Sequence, residues 1–267
     1  MNIREQFRDT RAIMSSFMPV ISDIYRSNEL WSSIKVQNNV QVTGLPSSIY
    51  KSFPSLVRGT TIMNMSLTDM FHYNHNQTLA QMKMLNPILV DYKKLYVQPG
   101  KNTPTLYKAF FQPPVWLVAR RDYIFLNETF LYDRQGNEID IPDNVREDLD
   151  RFVLANSHRI QKIVALTRSV TEDEINKSSL KNELQSNGSD VRGFIRCIAW
   201  IGDKVDENTC EVSILTDMDI GGTIPEKVKQ IISQYNADGL ITLKKHLDQR
   251  KGSKLPPPGA VGMPQHL

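Results

Sequence analysis

Hydrophobic residues at both ends of the chain recur at helical spacing. An amphipathic helix interrupted at Pro19 is predicted over residues 2–26, where charged residues separate the apolar positions Ile3, Phe7, Met14, Phe17 and Ile21. Pro225 and Glu226 are typical of a helix start, so a second long helix is predicted over about residues 225–250. Residues 251–267 contain three consecutive prolines and are predicted to form a flexible tail.

Between these helices the apolar residues alternate with polar ones or form short runs, as they do in β-strands. The predicted strands cover residues 34–43, 48–53, 56–66, 88–98, 105–111, 123–132, 159–169, 192–201 and 210–218. Two short helices are predicted within residues 67–85. The polar segments 133–158 and 171–190 are predicted to be exposed excursions from this framework.

This order of elements lacks the crossover helices that a parallel sheet requires. We therefore predict an α+β fold, in which a curved antiparallel β-sheet wraps around the long C-terminal helix. The prediction places residues 1–250 in a single domain, followed by the tail at 251–267. Because such a sheet encloses a space, an internal cavity is the expected ligand site.

Composition and charge narrow the possible partners. The apolar share of 40% and the charged share of 23% are ordinary for a globular protein. A net charge of +3 is small for a nucleic-acid-binding surface, so no nucleic acid is expected. The two cysteines, Cys197 and Cys210, fit a reducing compartment. With no secretory signal or membrane-spanning run, a cytoplasmic protein that contacts membranes transiently is expected.

Candidate catalytic and metal sites are weak in this sequence. His72 and His75 lack a third metal ligand, and the loop beginning at Asp217 has Val228 where a calcium loop needs glutamate. Phosphate-binding, dinucleotide-binding and serine-hydrolase motifs are missing from the sequence. No catalytic residue, metal or cofactor is therefore predicted.

Three segments carry a resemblance to a known family. They are Trp31 with the strand at 34–42, the turn at 118–123 with Arg120 in a position that is often proline, and residues 213–230, where a strand passes Gly221-Gly222 into the last helix. Together with the order of elements, they resemble the START (steroidogenic acute regulatory protein related lipid transfer) domains. The resemblance implies a helix-grip fold that carries one lipid between membranes without catalysis.

The resemblance also implies which residues meet the lipid. In the sterol-binding branch of the family a buried acid and base lie in the cavity, and the corresponding positions here are Lys108 and Asn127. An inward lysine favours a phospholipid over a sterol, because a phosphate or carboxylate head group neutralises it. By strand parity Leu106, Phe110, Tyr123, Phe125, Thr129 and Leu131 are predicted to face inward too. Ordinary core packing, with Lys108 facing solvent, is the alternative.

The C-terminal helix is predicted to be the lid of the cavity. Its apolar face carries Val228, Ile231, Ile232 and Tyr235, which either cover the lipid or simply pack in the core. The glycines at 221 and 222 provide a hinge that would let this helix act as a gate. Its basic end, Lys244, Lys245, Arg250 and Lys251, is predicted to dock on anionic membranes.

A monomer is expected, and two other functions stay open. The first is an enzyme such as a cyclase or hydrolase built on the same helix-grip architecture, which requires an acid and a base inside the cavity. The second is a protein-interaction module in which the cavity is vestigial. Lipids retained after purification would distinguish these functions from a carrier.

Overall fold

A computed structural model describes residues 10–45, 56–96, 105–113, 118–142, 148–178, 181–186, 188–224 and 226–249. The helices in these ranges are α1 (Thr10–Arg26), α2 (Leu67–His75), α3 (Leu79–Leu85), α4 (Leu149–Ala155), α5 (Glu172–Lys177), α6 (Lys181–Leu184) and α7 (Glu226–Gln249). The strands are β1 (Ser32–Gln37), β2 (Val40–Gly44), β3 (Val57–Met63), β4 (Leu89–Tyr96), β5 (Thr105–Phe111), β6 (Arg121–Tyr132), β7 (Lys162–Ser169), β8 (Val191–Arg192), β9 (Phe194–Lys204) and β10 (Cys210–Asp219).

The described strands form one sheet in the order β1-β2-β3-β10-β9-β7-β6-β5-β4. Neighbours in this order are antiparallel, and the short β8 pairs in parallel with β6. We call the face that packs against α7 the inner face and the face that packs against α1 the outer face. The predicted α+β fold, an antiparallel sheet around a C-terminal helix, is confirmed.

Helices α2, α4 and α7 pack against the inner face. Leu240 and Leu243 of α7 join Met63, Val212 and Phe71 in the largest buried apolar cluster. The backbone of β3 lies close to α7 at Gly59. A Cβ at Gly59 would lie 3.4 Å from the Cβ of Ala237, which is a normal contact distance. The C-terminal half of α7 is therefore held firmly to the sheet.

Helix α1 covers the outer face of the central strands. Its buried residues Met14, Ile21 and Ile24 belong to the same cluster as Val164 of β7 and Ala199 of β9. Pro19 lies inside α1, so the predicted interruption of this helix is wrong. Proline removes one helical hydrogen bond. We attribute the continuity of the helix to burial of its apolar stripe against the sheet, which offsets this loss.

The predicted strand at 34–43 is wrong, since these residues form the hairpin β1–β2. Asn38 and Asn39 connect the two strands with φ values of 51° and 59°. Two successive left-handed residues make the turn that best fits the twist of a hairpin, and asparagine tolerates this conformation. The predicted strand at 48–53 and the tail at 251–267 lie outside the described residues.

Both polar excursions keep most of their described residues exposed or partly exposed, as predicted, but each also contributes a few buried residues to the core. In the first, Ile139, Ile141 and Val153 are buried in the inner-face cluster. In the second, Ile175 and Leu184 are buried against β5 and β6 on the outer face. Each excursion is polar in composition, but its few apolar residues cover parts of the sheet that would otherwise be exposed.

Candidate functional site

The inner face of the sheet carries a cavity of about 280 Å³ beside α2, α3 and α7. The side chains from the sheet are mostly apolar and include Ala109, Phe111, Phe125, Ala165, Ile198, Trp200 and Ile214. On the helical side the lining residues include Asn74, Met82, Leu85, Gly239, Leu240 and Leu243. Pockets for small apolar ligands have this kind of lining, with a few polar groups among the hydrophobic ones.

Small side chains at the centre of the sheet leave this space open. Ala165 pairs with Thr129 and Trp200 on the neighbouring strands, yet it is only half-buried. Ile198 and Ile214 also keep accessible surface on their central strands. Opposite them, Gly239 of α7 contributes no side chain. Apolar residues in the middle of a covered sheet are usually close-packed, so this incomplete covering leaves room for an apolar ligand.

One polar pair lies within the apolar lining. Asn127 of β6 faces Thr167 of β7, and its Nδ2 donates a hydrogen bond to Thr167 Oγ1 at 2.9 Å. The Asn127 carbonyl and the Thr167 hydroxyl proton are then able to bond a ligand. Among the described lining residues none carries a formal charge. The cavity therefore suits a ligand whose polar group is uncharged.

Aromatic rings form the wall next to this pair. Tyr107 stacks on Phe125 with 5.5 Å between ring centroids and on Tyr92 with 5.0 Å. Burial raises the pKa of the Tyr92 hydroxyl above its usual value, and it does the same for Tyr107. Both hydroxyls are therefore protonated at neutral pH, and this wall adds no charge to the cavity.

The predicted inward orientation of the odd-numbered residues of β6 agrees with the structure. Odd-numbered residues of this strand lie on the inner face, and Phe125 and Asn127 line the cavity. Tyr123 packs beyond one end of the cavity with Met218. Leu131 is part of the main core, and Thr129 is buried between these regions. Binding of a ligand by these five residues remains a prediction.

For β5 the predicted inward orientation of Leu106, Lys108 and Phe110 is wrong. Thr105 pairs with Asn127, so odd residues of β5 share the inner face with odd residues of β6. Lys108 lies opposite Ile124, on the outer face. The residues of β5 that line the cavity are Ala109 and Phe111. Even and odd positions of this strand are both largely apolar, so alternation alone could not have assigned the faces.

Lys108 anchors the second excursion to the sheet. Its Nζ donates to the backbone carbonyls of Glu183 (3.1 Å) and Gln185 (2.9 Å) and lies 4.0 Å from Asp122 Oδ2. Burial lowers the pKa of the Lys108 ammonium from its usual value. These contacts account for a buried lysine without a ligand, because both carbonyls and the carboxylate compensate for lost hydration.

The described residues of the C-terminal helix that border the cavity lie just past the middle of the helix. Its described lining residues are Gly239, Leu240 and Leu243. Tyr235 is half-buried, and the side chains of Val228, Ile231 and Ile232 lie outside the described part of the chain. A helix that turns every 3.6 residues brings Gly239, Leu240 and Leu243 to one side, and this side reaches the cavity.

The structure describes two of the four predicted docking residues at the end of this helix. Lys244 is buried, with its Nζ 3.1 Å from Asp248 Oδ1, so it does not present its charge to a membrane. Lys245 is exposed. Arg250 and Lys251 lie outside the described residues. Lys244 fails as a docking residue because its ammonium is already paired within the helix.

The residues considered as metal ligands have other contacts. Asp217 is fully buried and lies 3.6 Å from Arg196, which also approaches Asp219. His72 lies 3.7 Å from Asp150, which accepts a hydrogen bond from Asn76. No helix in the described ranges is long and apolar enough to cross a membrane.

The architecture and the cavity define the class to which this fold belongs. An antiparallel sheet that grips a C-terminal helix, with a cavity on its inner face, is the helix-grip fold of START domains. The recognition made from sequence is confirmed at the level of the fold. No protein-family model and no curated protein sequence matches this chain.

Several solved structures match over most of the chain. Human StAR-related lipid transfer protein 5 aligns with a TM-score of 0.65 and 16% identity, over 92% of this chain and 100% of that one. Human STARD10 aligns with a TM-score of 0.58 and 11% identity, over 89% and 82%. A STAR-related lipid transfer protein from Xanthomonas axonopodis gives 0.55 and 16%, over 82% and 99%. At such identities the likeness concerns the fold.

Proposed function

We propose that this protein binds one lipid in the inner-face cavity and carries it between membranes. The observation that carries the proposal is an apolar cavity beneath an incompletely covered sheet, in the fold of proteins named for lipid transfer. Each methylene group removed from water contributes about 0.8 kcal/mol, so enclosure by this lining stabilises an acyl chain or ring system in transit. The carrier role requires no catalytic group.

The ligand that we propose has an uncharged polar group, such as a hydroxyl or an amide. A phospholipid was expected on the strength of Lys108, and that residue lies on the outer face. Asn127 and Thr167 offer both a donor and an acceptor to a neutral group. The volume of about 280 Å³ is roughly twice that of a cavity known to hold benzene. A two-chain phospholipid would require the cavity to enlarge.

We further propose that the lipid enters through the seam between α3 and α7. The described strands are hydrogen-bonded in one continuous sheet, from β1 at one edge to β4 at the other. Opening the helical side of the cavity therefore breaks fewer hydrogen bonds than opening the sheet. At this seam a Cβ on Gly239 would lie 3.1 Å from the Leu85 carbonyl oxygen. The C-terminal helix, predicted to be the gate, forms one side of the seam, and α3 forms the other.

The enzyme alternative needs an acid and a base that meet a substrate. The described lining residues include no aspartate, glutamate, histidine, lysine or arginine, which favours the carrier.

We also propose that the protein acts as a cytoplasmic monomer with transient membrane contacts. Its two free, buried cysteines agree with a reducing compartment.

Replacing Asn127 with leucine is expected to weaken binding of decan-1-ol by about threefold to tenfold, the effect of one neutral hydrogen bond. Binding of decane should be unchanged, because leucine keeps the volume and removes only the amide. Isothermal titration calorimetry with both ligands measures the difference. Decanoate serves as a third ligand, for which the wild type should have the lowest affinity.

The ligand pair is the control for a general disturbance of the cavity. An equal loss of decane and decan-1-ol binding would mean that the variant had altered packing. Tighter binding of decanoate than of decan-1-ol by the wild type would contradict an uncharged polar group. That result would favour a lipid with an anionic head group instead.

A further inference from the structure

The outward side of α3 and the start of β4 form an unusual surface. Ala80, Lys83 and Met84 share one side of α3, Pro87 follows the end of the helix, and each of these residues is exposed. Met84 is 39% exposed and Val90 is 36% exposed. We call these five residues, together with the exposed Lys94, the α3 surface. Large apolar side chains beside lysines are typical of surfaces that contact a partner.

The opposite side of α3 faces the cavity. Met82 and Leu85 line it, and Leu79 packs against the same group of residues. All seven residues of this helix keep accessible surface, in contrast to Ala237, Leu240 and Leu243 of α7, which are buried. Helix α3 is therefore the less firmly held side of the seam. A partner on the α3 surface would lie directly over the route into the cavity.

The charge of the α3 surface is complementary to an anionic partner. Lys83 and Lys94 belong to it, and its other members are uncharged. Asp91 is the nearby carboxylate on β4, and it lies 4.0 Å from Lys93 on the other side of the strand. Apolar side chains flanked by lysines match the interface of a bilayer that contains anionic lipids, where the chains insert and the lysines bind head groups.

We propose that the α3 surface docks on an anionic lipid bilayer and directs the seam between α3 and α7 towards the membrane. The proposal rests on the proposed lipid-binding function, since it gives the bilayer as the source and destination of the ligand. It replaces the predicted docking by the end of the C-terminal helix, where Lys244 is buried. Exposed Lys245 of that helix offers a matched comparison.

Co-sedimentation with vesicles of phosphatidylcholine and phosphatidylserine tests the proposal. The double variant Lys83→Glu, Met84→Glu should bind these vesicles at least about tenfold more weakly, since one lysine near such a surface contributes about fivefold and an inserted side chain adds to this. Lys245→Glu makes the same charge change on α7 and should bind like the wild type. Vesicles of phosphatidylcholine alone should bind the wild type weakly, and added salt should weaken docking further.

Decan-1-ol titration of the same proteins separates docking from ligand binding. The double variant should bind decan-1-ol like the wild type, because neither residue lines the cavity, and its thermal unfolding should confirm the fold. Vesicle binding equal to wild type, or an equal loss in Lys245→Glu, would overturn the docking proposal. So would a wild type that binds decan-1-ol but no vesicles. Failure of the wild type to bind decan-1-ol would count against the proposed function instead.

Discussion

Replacing Ala165 with phenylalanine is expected to reduce the affinity for decan-1-ol by roughly a hundredfold while the protein stays folded. Ala165 lines the cavity from the centre of the sheet, where a ring would occupy the space of the ligand. Excluding about four methylene groups at about 0.8 kcal/mol each costs about 3 kcal/mol, which corresponds to that factor. Titration calorimetry measures the affinity, and thermal unfolding measures the stability.

The stability of Ala165→Phe should equal or exceed that of the wild type, because the ring fills an existing cavity. Ala199 provides the matched control on the next strand. It is fully buried on the outer face beneath α1, so phenylalanine there should destabilise the fold by about 1–3 kcal/mol through overpacking. Wild-type affinity in Ala165→Phe would mean that the ligand binds elsewhere.

Replacing Asp122 with alanine should lower the free energy of unfolding by about 3–5 kcal/mol, the usual effect of removing one partner of a buried ion pair. Its carboxylate is fully buried and accepts hydrogen bonds from Arg192 Nε at 3.0 Å and Nη2 at 2.9 Å. Ser186 donates a third, and Lys108 lies 4.0 Å away. Without Asp122, Lys108 loses its nearby carboxylate, and Arg192 keeps only Glu172, which lies 3.6 Å away and is 71% exposed. Urea unfolding measures the loss.

The control for Asp122 is an exposed ion pair. Lys204 and Glu207 lie 2.7 Å apart, but the Glu207 side chain is 84% exposed, so Glu207→Ala should change stability by less than about 0.5 kcal/mol. Equal effects of the two substitutions would show that the Asp122 cluster does not stabilise the fold. Any loss of ligand affinity in folded Asp122→Ala would show that the outer face influences the cavity.

Local signals in the sequence were sufficient to predict much of the framework. Ser66 and Thr78 cap α2 and α3 as their positions indicate, and β5 and the C-terminal helix match their predicted bounds closely. These elements depend on neighbouring residues, which a sequence shows directly. The hairpin at Asn38-Asn39 was missed although a pair of asparagines is itself a turn signal.

Strand register and the packing of long loops depend on distant residues. The family resemblance places Lys108 in the cavity, whereas the pairing of β5 with β6 puts it on the other face, because a shift of one residue reverses the direction of a side chain. Ile175 and Leu184 looked like isolated apolar residues in a polar segment, yet they cover that same strand pair. Ala165 and Thr167 fit the alternating pattern of a strand and share its inner face. Their neighbours in the sequence do not show whether that face lines a cavity or packs in a filled core.

Native mass spectrometry of the protein, purified without detergent, tests whether the inner-face cavity holds a lipid. We expect one additional mass per chain, which organic extraction releases as an uncharged lipid, and we expect Ala165→Phe to lack it. Adding the extracted lipid to stripped protein should raise the unfolding temperature, since a ligand that binds only the native state stabilises it. Protein that is repeatedly recovered empty and folded, and that no added lipid stabilises, would show that the cavity does not carry a lipid.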